Sequence, residues 1–300
     1  MMIFSNGCSI EKMAMNKLGD VLAAGGTTYA SDDDPELVRD AAPFSLKLME
    51  TVLAETPDHE GLLLSLTSGF TQYGYGFVQQ DADRAVADDF EKSERFKQRA
   101  AKLYRRARDY GMRALENRYP GFRENLLKAP KPTADQAKKS DVPLLYWTSA
   151  AWGALIALSK DDPETIADLP QVAAMADRAL KLNEAYDSGA IHSFMVSFTF
   201  ARADAVGDRK ATAKRHFDRA MELSGGQSAG PLLAWAEAVS VQEQNASEFK
   251  ALLNQALAIR VSARAEWTLV NTILLERARW LLSRMDELII PPLPPESAGR

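Results

Sequence analysis

Apolar residues recur every three or four positions along almost the whole chain, and no stretch alternates cleanly enough to make a strand. The pattern therefore predicts helices throughout. Ile10, Met13, Ala14, Leu18, Val21 and Leu22 mark an amphipathic helix that Gly25-Gly26 stops. Ser31 to Glu36 reads as a helix start, with Asp34 as cap, Pro35 in the first turn and acidic charge at the positive helix end. Three adjacent aspartates also invite calcium, but an EF-hand loop alternates its ligands and carries a glycine and a late glutamate, so capping is the reading kept. From Glu60 to Gln80 an aromatic stripe of Phe70, Tyr73 and Phe77 shares a helix with a second face of Gln72, Tyr75 and Gln79. Gly69, Gly74 and Gly76 interrupt it at about 1 kcal/mol each against alanine. Close helix contact and room for a ligand are the two offsets such a loss has.

Asp81 to Asn117 predicts one long, largely exposed helix with a sparse apolar stripe and a Glu91–Arg95 pair. Gly121 to Ser140 predicts a connector or a pair of short helical turns. Asp141-Val142-Pro143 starts an aromatic helix to Leu158, and Asp161 to Glu164 repeats the cap logic. Beyond Gln171, pairs follow with short turns at 171–182 and 188–206, 208–223 and 230–242, and 246–259 and 264–288. Prolines 291, 292, 294 and 295 end the pattern.

One register recurs among these helices. Ala213, Phe217 and Ala220 alternate small and large on one stripe, and Gly225-Gly226 then ends the helix. Phe44–Leu48–Val52, Ala107–Gly111–Ala114, Val172–Ala176–Ala179 and Phe249–Leu253–Ala256 repeat it. The gaps from Ala179 to Ala220 to Ala256 lie near the tetratricopeptide (TPR) period of about 34, while the two earlier gaps are nearly double. The expectation is an all-α, TPR-like solenoid of antiparallel helix pairs with irregular, enlarged N-terminal repeats. Residues 1–9 form a tail, 10–288 a single helical domain, and 289–300 a disordered proline-rich tail.

Net charge of −5 leaves no surplus basic face for nucleic acid. No run of 18 apolar residues exists to span a membrane. The single cysteine excludes an internal disulfide and a cysteine-cluster metal site. Cys8 follows a small residue as at the end of a bacterial lipoprotein signal, but only seven residues precede it. Acylation after a shortened leader and an incidental thiol in a tail both stand.

No catalytic constellation emerges, and no cofactor or metal is expected. His59, His192 and His216 sit in no metal spacing, and no nucleophile elbow or phosphate loop is present. His59 starts a helix, and His216 falls on the outer, solvated side of the register helix. His192 begins a first helix and can face a cleft or serve structure. In stacked pairs the first helices line the concave side. They carry Phe70, Gln72, Tyr73 and Phe77, then Tyr146 and Trp152, then His192, then Trp235. Rings there fit an apolar ligand or extended peptide, and equally packing between repeats.

Blocks more specific than the repeat are Thr28 to Ala41, Gly69-Phe70-Thr71-Gln72-Tyr73 with Phe77-Val78-Gln79, Asp141 to Trp147, and Ala190-Ile191-His192. With these, the chain from about residue 8 to 288 resembles the TatT family, the TPR-containing T component associated with TRAP transporters. The resemblance implies a non-enzymatic periplasmic lipoprotein of a Gram-negative bacterium, acylated at Cys8 and assembled as a homotrimer. It implies a cleft or pore through the helical body, a periplasmic TRAP solute-binding protein as partner, and a small organic carboxylate, hydrophobic ones included, as cargo. A generic TPR scaffold binding protein or peptide, unconnected to transport, is the alternative.

Overall fold

The computed structural model describes residues 7–202, 204 and 206–290, and within them every regular element is helical. The long helices are α1 (Gly7–Ala24), α2 (Pro35–Glu55), α3 (Glu60–Tyr73), α4 (Phe90–Arg118), α5 (Val142–Leu158), α6 (Leu169–Leu182), α7 (Ala190–Ala201), α8 (Arg209–Ser224), α9 (Gly230–Trp235), α10 (Ala246–Leu257) and α11 (Thr268–Ser283). Polar caps set their starts, as Asp34 accepts from the Leu37 N–H at 2.9 Å and Asn245 from the Glu248 N–H at 3.1 Å. Gly225 and Gly226 end α8 with φ of 60° and 71°.

Sequential helices pack on one another from α3 to α6, then α7 on α8 and α9, and α10 on α11. The small positions of the register are where they touch. Ala107, Ala114, Ala176, Ala179, Ala213, Ala220 and Ala256 are all buried. A Cβ on Gly189 would come within 3.2 Å of the Ala220 backbone, so α7 starts flush against α8. The register fails in α2, where Phe44 is 73% exposed. Of its three positions only Val52 faces the core, beside Val38, Leu46 and Leu53.

The long helix expected over Asp81 to Asn117 is two. The chain leaves helix after Ala85, and Asp89 caps α4 by accepting from the Lys92 N–H at 2.8 Å. Gly121 to Ser140 holds two short helices, Phe122–Lys128 and Pro130–Ala134. At the end, Ile289 is buried and the Ile290 N–H donates to Gln244 at 2.8 Å, so packing runs past the expected boundary at 288. The remaining proline-rich tail, 291–300, lies outside the described residues, as does the start of the N-terminal tail.

Two helices widen into π-helical turns, Gly74–Gln79 after α3 and Ala236–Ser240 after α9. A Cβ on Gly74 would lie 2.9 Å from the Tyr104 ring, so the glycine there serves close helix contact. Tyr104 is fully buried and donates its hydroxyl to Gln79 at 2.6 Å. Helix α11 returns to the start of the chain, packing on the short helix Gly26–Ala30, on α2 and on the first π turn. Arg277 fixes that return, donating to Asp83 at 2.8 Å and to Glu237 at 2.9 and 2.5 Å. Burial works against its charge, but the two carboxylates outweigh it and raise its pKa.

His192 and His216 join α7 to α8 with their Nδ1 atoms 2.9 Å apart, so one ring donates and the other accepts. His216 is half-buried rather than solvated, because its ring leans on His192 instead of turning outward. Burial, then the charges of His192 and Arg215, bring it down to about 4, against weaker support from Asp177. Burial lowers His192 too, opposed by Glu184.

Arg277→Met should leave Asp83 and Glu237 without a cation. The loss expected is about 2–3 kcal/mol, below that of a fully buried pair because both carboxylates keep some water. Denaturant melts measure it, and adding Asp83→Asn with Glu237→Gln should restore much of it. The histidine pair gives a second expectation. Its folded pKa values lie below the unfolded value of about 6.5, so the unfolded chain takes up protons first as pH falls. Its contribution is complete above about pH 7, declines on acidification and levels off below about 4. His216→Gln should flatten that part of the melting temperature's pH profile.

Candidate binding site

Tyr146 of α5 is the sequence-predicted ring that stays half-buried in an aromatic cluster. Its ring lies 4.9 Å from Trp147, 5.6 Å from Tyr186 and 6.5 Å from Phe194. The others pack elsewhere. Phe70 is 3% exposed, stacks on Tyr110 at 6.2 Å and carries the Arg106 guanidinium over its face. Tyr73 and Phe77 are buried 5.5 Å apart, and Gln72 is exposed. Trp152 is buried, donates to Asp168 at 3.1 Å and lies under Arg108. Trp235 is buried against Phe217, and His192 is held between His216 and Glu184. The stripe 70–73–77 is thus the core face of its helix, and the ring left open is Tyr75.

Tyr75 is 41% exposed, yet its hydroxyl is pushed up to about 12, first by desolvation and then by Glu237. Exposed over much of its surface but crowded at its hydroxyl, Tyr75 marks a candidate binding hollow. Tyr146 and Tyr104 lie within reach of its charge, so the candidate hollow is drawn between the first π turn and α5. The opposite wall is α11, where Ile273 stands so near Gly76 that a Cβ there would meet it at 3.4 Å. Desolvation raises Tyr146 and pushes Tyr186 up to about 12 as well. With phenols this firmly protonated, the wall offers hydroxyl donors and ring faces, not nucleophiles.

The turn before α7 brings in a carboxylate. Asp187 (φ 44°), Ser188 (φ 50°) and Gly189 (φ 96°) are left-handed in succession. For the two non-glycine residues that costs on the order of 1–3 kcal/mol each and persists where surrounding contacts impose it. One such contact is Arg264, which donates to the Ser188 hydroxyl at 3.2 Å while its guanidinium lies 4.3 Å from the Trp267 ring centre. Asp187 is exposed by its own surface, but desolvation raises its carboxyl, opposed by the Trp267 indole and reinforced by Glu266. A separate cleft of about 380 Å³ lies among Pro130, Leu169, Pro170 and Ala173. Its rim arginines are engaged, Arg202 by Asp177 and Asp204 and Arg178 by the Ala137 carbonyl.

Sequence reading passed over Asp187, Tyr186, Trp267 and the Arg277 clamp. Tyr186 to Gly189 carried a turn signal, but no pattern on one helix foretells which turn meets which across the fold. Cys8 lies in α1, and its side chain is outside the described residues. Among the described residues no helix is long and apolar enough to cross a membrane, and no three potential metal ligands converge.

Compared with known proteins, the chain is 26% identical over 302 aligned residues to an uncharacterized protein of Treponema pallidum (strain Nichols), covering 95% of this chain and 94% of that one. The model of the TRAP transporter T-component family matches residues 31–289. That span holds both π turns, the strained turn and the Arg277 clamp, and the chain belongs to the TRAP transporter T-component family, whose place in transport is accessory and non-catalytic.

Proposed function

We propose that this T-component works in the periplasm beside the solute-binding protein of its transporter, and that the hollow beneath Tyr75 receives a small organic solute. The observation that carries the reading is Tyr75 itself, exposed and yet desolvated. Such a ring holds little water to displace and keeps an open face, which is what an apolar solute needs. Helix packing and the Arg277 clamp hold the surrounding rings in place, so little ordering would be left to oppose binding. Acylation of Cys8 would hold the protein at the membrane, with more than one chain because a single one binds marginally. A homotrimer would present three such hollows to receptors.

Two measurements test this. Pull-down with the cognate receptor, with mass spectrometry of co-purified small molecules, should recover both receptor and solute. Tyr75→Ala should weaken solute capture by roughly tenfold, the scale of one lost aromatic contact, and leave the melting temperature nearly unchanged. Tyr73→Ala, in the core, should instead lower the melting temperature by several degrees. Equal solute affinity in wild type and Tyr75→Ala would remove the hollow from the function. Mass spectrometry of the N-terminal peptide should find acyl chains on Cys8, and none after Cys8→Ser.

A further inference from the structure

The chain's net charge of −5 conceals one strongly basic helix. Between Phe90 and Arg118, α4 carries ten lysines and arginines against four carboxylates, Glu91, Glu94, Asp109 and Glu116. That surplus of six positive charges leaves the rest of the chain at −11. The cations are not spread evenly. Arg95, Arg99, Lys102, Arg106, Asp109 and Arg113 follow at spacings of four, three, four, three and four, which places them on one stripe of the helix. Ala100, Tyr104, Ala107, Gly111 and Ala114 are buried on the side turned away, so the stripe is the solvent face.

Toward the C-terminal end of that face, Lys102, Arg105, Arg106, Asp109, Tyr110 and Arg113 line an open basin of about 530 Å³. Its cations are held in place but scarcely neutralised. Arg113 donates at 2.5 Å to the Pro57 carbonyl, an uncharged acceptor. Arg106 lies 5.2 Å from the Phe70 ring centre and 3.5 Å from Glu50, a carboxylate that Lys47 and the Tyr110 hydroxyl also engage. Lys102 and Arg105 are exposed and form no ion pair among the described residues. Asp109, the one carboxylate of the basin, is taken by Arg108 at 2.8 Å. Asp162, which feels the charge of Arg105, already caps a short helix, accepting from the Glu164 N–H and the Thr165 hydroxyl. Like charges three and four residues apart destabilise a helix, and the described residues offer these few counter-charges.

We propose that this basin and its stripe form the docking surface for an acidic element of a protein partner, a helix or loop carrying several aspartates or glutamates. The inference stands whether or not the hollow takes a solute. Two observations choose a protein over other polyanions. A helix that lies on a membrane adds inserting apolar groups to its basic face, and within α4 the exposed large apolar side chain is Phe90, at the end away from the basin. A nucleic acid runs on beyond a row of about 27 Å and would meet the acidic remainder of the chain. A compact acidic element covers the row and ends there. Arg106 and Arg113 offer it donors fixed by their neighbours, while unpaired Lys102 and Arg105 adapt to its carboxylates.

A decaglutamate peptide, titrated by calorimetry into the full chain at low salt, is the probe. It should bind, and weaken as salt rises. Lys102→Glu with Arg105→Glu should lose at least roughly tenfold in affinity, the scale of one or two such contacts. Lys102→Gln with Arg105→Gln should give a smaller loss in the same direction. Lys160→Glu with Lys250→Glu changes the total charge equally at exposed positions elsewhere and should bind as wild type does. Circular dichroism should find every variant as helical as wild type, since all four side chains are exposed. No binding of decaglutamate, or equal losses in the basin pair and the distant pair, overturns the docking surface. Phosphatidylglycerol vesicles or a short DNA duplex, bound more tightly than the peptide and released by the basin pair, would give the surface to a membrane or to nucleic acid instead. A change in oligomeric state of the basin pair on sedimentation would make the occupant a second copy of this chain and end the case for a separate partner.

Discussion

Arg277 meets a carboxylate 194 residues earlier in the chain and another 40 residues earlier, and the hollow depends on that meeting. A succession of helix pairs has no intrinsic reason to return to its own beginning, since each pair needs only its neighbours to bury its apolar face. Here the last long helix packs against the first π turn, Ile273 joins the core built by the first half, and the guanidinium ties both π turns to that helix. Closure over so long a loop costs little more than over a short one, because the entropy grows only with the logarithm of length. A few strong, directional bonds are enough to hold it. The guanidinium suits the task, for its planar fork serves two carboxylates while remaining charged.

The two π turns make that geometry possible. A π turn rotates the residues after it relative to those before, so one helix can give its first part to the core and direct a later residue inward. Phe70 and Tyr73 pack in the core, while Tyr75, inside the turn, opens on the hollow. Glu237 lies within the second turn and Asp83 just past the first. The glycines at 74 and 76 let Tyr104 and Ile273 approach, so the helix-propensity loss they carry is offset by contacts at the point of closure.

Local rules reached much of this fold and little of its site. Helix starts followed from Asp34, Asp162 and Asn245, and helix faces from the spacing of Ala213, Phe217 and Ala220. Each of these is a property of one helix and its neighbour. They failed where a second local rule competed. The pair 44 and 48 lost to Val38, Leu46 and Leu53, which join Val52 on the core side of the same helix, and Asp89 capped a new helix inside an apparently continuous pattern. Rings on the first helices were open to lining the concave side or to packing between repeats, and Phe70, Tyr73, Phe77, Trp152 and Trp235 are buried, as packing requires. Apolar periodicity locates the core, and in α3 it located it well. The open ring, Tyr75, lay on a second, mixed face with Gln72 and Gln79, where periodicity separates it from the core but does not mark it as a site.

The residues that define the hollow come from separated parts of the chain: a π turn, the start of a helix, a strained turn and a short helical turn before α11. Their joint property is neither burial nor exposure alone. A buried ring such as Phe70 has no free face for a solute, and a ring in open water gives up hydration that a ligand must repay. Tyr75 and Asp187 lie between these limits, exposed by surface yet with desolvated polar atoms. Strain in the turn at Asp187 and Ser188 is tolerable because Arg264 holds the Ser188 hydroxyl and Gly189 lies flush on Ala220. The alanine register of the repeats thereby helps fix the position of the strained turn.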